Sequence, residues 1–259
     1  MTRNGIFSLA GRTALVAGAS RGIGLAIAQG LARAGAHTLL GARGVEALER
    51  ESAALREEGF EAQPVTLDLA DADSVRAAIE AHPGIDILVN VAGINHRKRF
   101  EDYTRREYDR ILDTNLHGIV QLTQLAGKGM IERGRGGKII FIGSMTSLLG
   151  LPYVSVYGIT KSALAGLTRV LAAEWGPHNI QVNCIAPGMI LTDLNRAMWQ
   201  SERMREWFQG VAANPSLGSP ADVAPLAVFL AGRGADYITG QVIAVDGGYS
   251  TTARWPFEP

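Results

Sequence analysis

The chain has 259 residues, 47% of them apolar, and its 25 basic side chains balance 25 acidic ones. A sizeable core is available, and no bulk charge surplus argues for nucleic acid or for an acidic tail. No apolar run approaches the length of a membrane span, and residues 1–11 lack the basic start and long apolar stretch of a signal peptide. We therefore expect a soluble, cytoplasmic protein.

Short runs rich in Val, Ile or Leu recur at 13–17, 38–40, 62–67, 85–89, 138–142, 180–185 and 241–245. Continuous apolar character means burial on both faces, as in parallel strands covered by helices. Helical patterns lie between them, for example at 23–34, 45–58, 74–82, 105–133 and 156–175. The alternation predicts an α/β fold: one domain spanning 1–259, with a doubly wound, parallel, seven-stranded sheet and helices on both faces. Ligands of such sheets bind beyond the carboxyl ends of the strands, so the chemistry is sought just after each run.

After the first run comes Gly18-Ala19-Ser20-Arg21-Gly22-Ile23-Gly24, leading straight into a helical pattern. Glycines permit a tight turn and close approach, and a helix N-terminus offers N–H groups to a pyrophosphate. After the second run an acid would bond a ribose 2′-OH, but the sequence has Arg43. A guanidinium there, with Arg21, suits a 2′-phosphate, so NADP(H) is favoured and NAD(H) is the alternative. Asp68 and Leu69 follow the third run, and Asn90-Val91-Ala92-Gly93 the fourth.

Ser144 follows the fifth run, Tyr157 lies 13 residues on, and Lys161 four beyond that. Positions i and i+4 share a helix face, so phenol and ammonium can project together. A free phenol has a pKa of about 10, and lowering it by about 3 units takes roughly 4 kcal/mol. A neighbouring ammonium and a positive nicotinamide ring can supply this, making Tyr157 a general acid or base. Cys184, the single cysteine, sits in the sixth run and reads as a buried strand residue.

The glycine spacing, the serine, and Tyr-x-x-x-Lys in this order resemble the short-chain dehydrogenase/reductase family over nearly the whole chain. Two positions depart from its usual pattern: Ala17 stands where Thr is common, and Val91 where Asn is common. The resemblance implies a Rossmann-like fold and an oxidoreductase acting on CH–OH groups. It implies that Ser144 orients the substrate oxygen, Tyr157 exchanges the proton, Lys161 holds the ribose and lowers the tyrosine pKa, and Asn115 supports a water-linked relay. The cofactor would meet Gly18, Ser20, Arg21, Gly22, Ile23, Gly24, Arg43, Asp68 (at the adenine), Leu69, Asn90, Ala92, Gly93, Tyr157 and Lys161. It would also meet Pro187, Gly188, Ile190 and Thr192, after the sixth run. A homotetramer is implied as well.

Substrate identity is read from Asn95-His96-Arg97-Lys98-Arg99, where cations near the mouth suit a small anionic substrate, though a solvated basic loop or an interface patch reads equally well. Arg97, Ser144, Met145 and Tyr157 are the expected substrate contacts. Residues 144–147 and 94–97 resemble the family branch of gluconate 5-dehydrogenase and 2-dehydro-3-deoxygluconate 5-dehydrogenase, implying a sugar or sugar acid. The alternative is a 3-oxoacyl-acyl-carrier-protein reductase, and a different class again is an NADP(H) sensor without turnover. The five histidines lack ligand spacing, so no metal is expected. Residues 192–218, rich in Met, Trp and Phe, read as a substrate lid. The aromatic tail 255–259 is expected to dock on a neighbouring subunit or to fray.

Overall fold

The computed structural model describes residues 5–193 and 195–253; the tail at 255–259 lies outside the described residues. Seven parallel strands form one sheet: β1 (Thr13–Ala17), β2 (His37–Ala42), β3 (Ala62–Thr66), β4 (Ile87–Asn90), β5 (Gly137–Ile142), β6 (Ile180–Pro187) and β7 (Val242–Val245). Their order is β3-β2-β1-β4-β5-β6-β7. Each apolar run became a strand; the five inner strands are buried on both faces, while the edge strands β3 and β7 are only partly covered. In β1, Ala14 and Val16 enter one core layer while Leu15 and Ala17 enter the other.

Helices α1 (Gly22–Arg33), α2 (Val45–Glu57) and α8 (Pro220–Ala231) pack on one face, through Ile27, Leu31, Leu48, Val223 and Leu230. Helices α3 (Ala72–Ala81), α5 (Gly118–Arg133) and α6 (Ser155–Trp175) pack on the other, through Val75, Leu122, Met130, Leu164 and Trp175. Cys184 is fully buried in this second layer, as its strand position predicts.

The helical pattern at 105–133 is one continuous path with a flaw in it. Helix α4 (Arg105–Leu112) passes through a π-turn at Asp113–His117 into α5. At the start of α5 a side chain on Gly118 would strike the Leu69 carbonyl, so the helix crosses very close to the loop after β3. Such π-turns gather at functional sites because they re-aim side chains within a helix. Here the re-aimed residue is Asn115. Helix α7 (Glu202–Val211) lies within the segment 192–218, whose roots are joined by a parallel bridge between Ile190 and Gly218. The chain thus pins both ends of this excursion to the body of the protein.

Candidate active site

The sheet order reverses between β1 and β4, and the loops leaving the carboxyl ends of β1 to β6 open into one cleft of about 2080 Å³. Its first end is built by the glycine loop. Gly18 has φ of 100°, and a β-carbon there would stand 2.7 Å from the Ala92 nitrogen. A β-carbon on Gly24 would strike the Gly18 carbonyl oxygen, so only glycine lets helix and loop close together. Helix α1 starts with no side-chain cap and no acid in its first turn. Its N-terminal N–H groups are therefore suited to an anion such as a pyrophosphate.

Ser20, Arg21, Gly22, Ile23, Arg43, Asp68, Leu69, Ala92 and Gly93 line this end of the cleft. Among the described residues neither Arg21 nor Arg43 has an ion-pair partner; their charge is available to a phosphate. The Asp68 carboxylate accepts the Ala70 N–H at 3.0 Å, which fixes the turn after β3. Asn90 does not line the cleft. It is fully buried and its amide donates to the Thr123 hydroxyl at 3.1 Å, tying β4 to α5.

The reacting groups come together at the middle of the cleft. Ser144 caps a short turn, its hydroxyl accepting the Thr146 N–H at 3.1 Å. That turn is fastened to α6, where the Ser147 hydroxyl donates to the Lys161 carbonyl at 2.8 Å. Tyr157 and Lys161 stand one helical turn apart on α6. The Lys161 ammonium is 2% exposed, donates to the Ile142 carbonyl at 2.7 Å, and sits 5.6 Å from the centre of the Tyr157 ring. Gly93 completes the cradle: a β-carbon on it would lie 3.5 Å from both the Lys161 ammonium and the Asn115 side-chain oxygen.

The expected lowering of the tyrosine pKa rests on Lys161 together with the positive ring of a bound cofactor; in the protein alone, burial dominates. Burial raises the Tyr157 phenol above its ordinary value, and the Ser144 hydrogen bond and the Arg97 charge offset that only in part. Lys161 is itself pushed down to about 8 by burial. The physical reason is that desolvation penalises both charged forms, so the buried pair favours neutral phenol and a weakened ammonium. Arg97 is a cation whose charge favours the ionised phenol.

Asn115 is also placed differently from a group bathed by the cleft. It is fully buried, its amide donates to the Ile94 carbonyl at 2.8 Å, and its oxygen accepts the Ile94 N–H at 2.8 Å. The side chain is a clamp on the loop that carries Arg97.

The basic loop itself is resolved into separate roles. Lys98 donates to Glu107 at 2.9 Å, and Arg99 pairs with Glu101 at 3.8 Å. Glu107 is held down to about 2 by the Thr104 backbone N–H and by Lys98. Arg97 alone of the three cations lines the cleft and has no ion-pair partner among the described residues. Met145, Pro187, Gly188, Ile190 and Thr192 line the cleft too, and Met198, Met204 and Trp207 of the 192–218 segment form its outer wall. That wall is stiffened by ring contacts of Trp199 with Phe208 at 5.6 Å and of Trp207 with Tyr249 at 6.0 Å.

A family model described as enoyl-(acyl carrier protein) reductase matches residues 18–250. Gluconate 5-dehydrogenase of Gluconobacter oxydans is 38% identical across 97% of this chain and all of its own length. A 2-dehydro-3-deoxy-D-gluconate 5-dehydrogenase of Bacillus subtilis is 40% identical across 94% of this chain and 96% of its own. The chain belongs to the short-chain dehydrogenase/reductase family. As a member it is an oxidoreductase of CH–OH groups. A solved short-chain dehydrogenase/reductase, gluconate 5-dehydrogenase of Burkholderia cenocepacia with NADP and tartrate, superimposes with a TM-score of 0.91 at 37% identity. It covers 96% of this chain and 98% of its own.

Several cleft residues of this short-chain dehydrogenase/reductase carry no motif. Tyr153, Val154, Met189 and Arg203 line the cleft without any spacing that marks them. Asn195 is different. It accepts the Thr192 N–H at 2.8 Å and donates to the Ile190 carbonyl at 2.7 Å, closing the root of the 192–218 segment. An Asn three residues after a Thr in the loop that follows β6 is a turn signal that could have pointed to it.

Proposed function

We propose that this chain interconverts a ketone and a secondary alcohol on a sugar acid, with NADP(H) as its hydride carrier. The observation that carries the reading is which charges line the cleft. Arg21 and Arg43, on the loops after β1 and β2, and Arg97, on the loop after β4, line it together with Ser144, Tyr157 and Lys161, and none of the three arginines has an ion-pair partner among the described residues. The gluconate 5-dehydrogenase relatives and the neighbour holding NADP and tartrate support it.

The glycine loop and the start of α1 fit the pyrophosphate, Arg21 and Arg43 a 2′-phosphate, and Lys161 with Gly93 the ribose. When bound, the cofactor supplies a hydride in reduction and accepts one in oxidation. Tyr157, kept protonated by burial, gives its proton to the carbonyl oxygen in the reducing direction. Ser144 donates to the same oxygen and holds it against the phenol. In oxidation the phenol must release its proton first, which Arg97 and Ser144 favour and burial opposes. Asn115 keeps the Arg97 loop in place. The segment 192–218 closes over the substrate as a lid and excludes water.

A second reading, reduction of a 3-oxoacyl thioester, is favoured by the apolar wall of Met189, Met198, Met204 and Trp207. NADPH-linked rates on 5-keto-gluconate and on an acetoacetyl thioester separate the two. The sugar-acid reading predicts faster turnover of the keto acid; a clear preference for the thioester discards it. Assembly is read as a homotetramer, with the exposed Ile159 and Val170 of α6 in an interface, which light scattering measures. Among the described residues no helix is long and apolar enough to cross a membrane.

A further inference from the structure

We propose that Tyr153 is a specificity-determining residue of this cleft, its ring covering the carbon chain of the substrate beyond the anionic end held by Arg97. The proposal rests on the reading of the cleft given above.

The turn at Leu151–Val154 joins Ser144 to the helix of Tyr157. Pro152 is followed by Tyr153 with φ of 67°, in the left-handed region. A turn with proline at this point ordinarily takes glycine next, because a β-carbon in that conformation is strained. Among the described residues the only other non-glycine with positive φ is Asn179, whose side chain tolerates it. Folding does not explain the tyrosine. Its side chain is 57% exposed, with no ring contact and no hydrogen bond from its hydroxyl among the described residues. A bulky residue held in strain without a packing return marks a functional position.

Its placement says which function. Tyr153 lines the cleft four residues before Tyr157. Its carbonyl accepts the Lys98 N–H at 2.9 Å, and the Lys98 ammonium is anchored on Glu107 at 2.9 Å. The turn is thereby locked beside Arg97, one residue away across that hydrogen bond. An aromatic face covers C–H surface and a phenolic edge bonds hydroxyls, which together suit a polyhydroxylated chain. Pro152 and the fixed carbonyl hold the backbone of the turn in place before any substrate arrives, so only the rotamer of the ring is left to order on binding.

The test compares Tyr153→Gly and Tyr153→Phe with wild type on whichever carbonyl substrate the wild type prefers from a panel of keto sugar acids and acyl thioesters. For Tyr153→Gly the expected result is a KM raised about tenfold, with kcat within about threefold. NADPH affinity is unchanged and the melting temperature is equal or higher, because glycine relieves the turn. Tyr153→Phe restores most of the KM. A KM within about twofold of wild type in Tyr153→Gly overturns the proposal, as does a lowered melting temperature, which would make the ring structural. A changed mass in light scattering with unaltered KM also overturns it and assigns the ring to a contact with a second copy. A wild-type preference for the thioester discards the sugar-acid reading and leaves this test intact.

Discussion

The Lys161 ammonium spends a hydrogen bond on the Ile142 carbonyl, 2.7 Å away, while lying 5.6 Å from the centre of the Tyr157 ring. This relationship ties α6 to the end of β5, the two elements that carry the reacting groups. It also places a cation where burial works against it.

The first prediction follows from that burial. The Lys161 pKa in the fold is about 8, below its ordinary 10.5. The folding penalty on the ammonium is therefore fully present below about pH 8 and is relieved as pH rises toward 10.5. The shift corresponds to about 3 kcal/mol, against about 1 kcal/mol for the hydrogen bond to Ile142. Lys161→Met, melted at pH 7 without cofactor, should be at least as stable as wild type, with the gap closing between pH 8 and 10. Its turnover should fall about 100-fold or more. A less stable, active variant would contradict this.

The proposed function assigns the choice of cofactor to Arg43, which lines the cleft. Arg43→Asp removes the fork for a 2′-phosphate and puts a repelling carboxylate in its place. The expected kcat/KM with NADPH drops about 100-fold while that with NADH is kept or improved. Equal loss with both cofactors would mean that the residue serves the loop instead.

The proposed function has Arg97 act on the substrate as well as on the phenol. Arg97→Gln should raise KM for a keto sugar acid by about 10- to 100-fold, the worth of a charge-assisted hydrogen bond. It should also move the alkaline rise of the oxidation rate to higher pH, because Arg97 is one of the influences holding the Tyr157 pKa down. An unshifted pH profile would show that Arg97 does not reach the phenol.

Asn115 is predicted to act through structure. Asn115→Leu leaves the Ile94 N–H and carbonyl without their partner, at a cost of about 2–4 kcal/mol. Urea unfolding should show that loss, with KM rising as the Arg97 loop loosens. Wild-type stability with turnover abolished would instead make Asn115 a direct member of the proton path.

Much of this arrangement could be read from the residues. The apolar runs became the seven strands, buried on both faces in the five inner ones, and the loops that line the cleft emerge at the strand ends. Where the residues fell short, the cause was three-dimensional. The π-turn at Asp113–His117 depends on how closely Gly118 meets the Leu69 loop, which no periodicity encodes. The burial of Lys161 and Asn115 depends on tertiary neighbours, so an i,i+4 spacing could pair Lys161 with Tyr157 without revealing that desolvation raises the phenol. Helix α8 lacks a polar face and carries Pro225 inside it, so no amphipathic stripe announces it. The three cations at 97–99 looked equivalent until Glu107 and Glu101 were seen to neutralise two of them.

Proton transfer by Tyr157 is measured with Tyr157→Phe, following NADPH binding by fluorescence and turnover by absorbance. The expected outcome is wild-type NADPH affinity and a rate lower by about 100- to 10,000-fold. Retention of more than about 5% of the wild-type rate, well above that range, would contradict it.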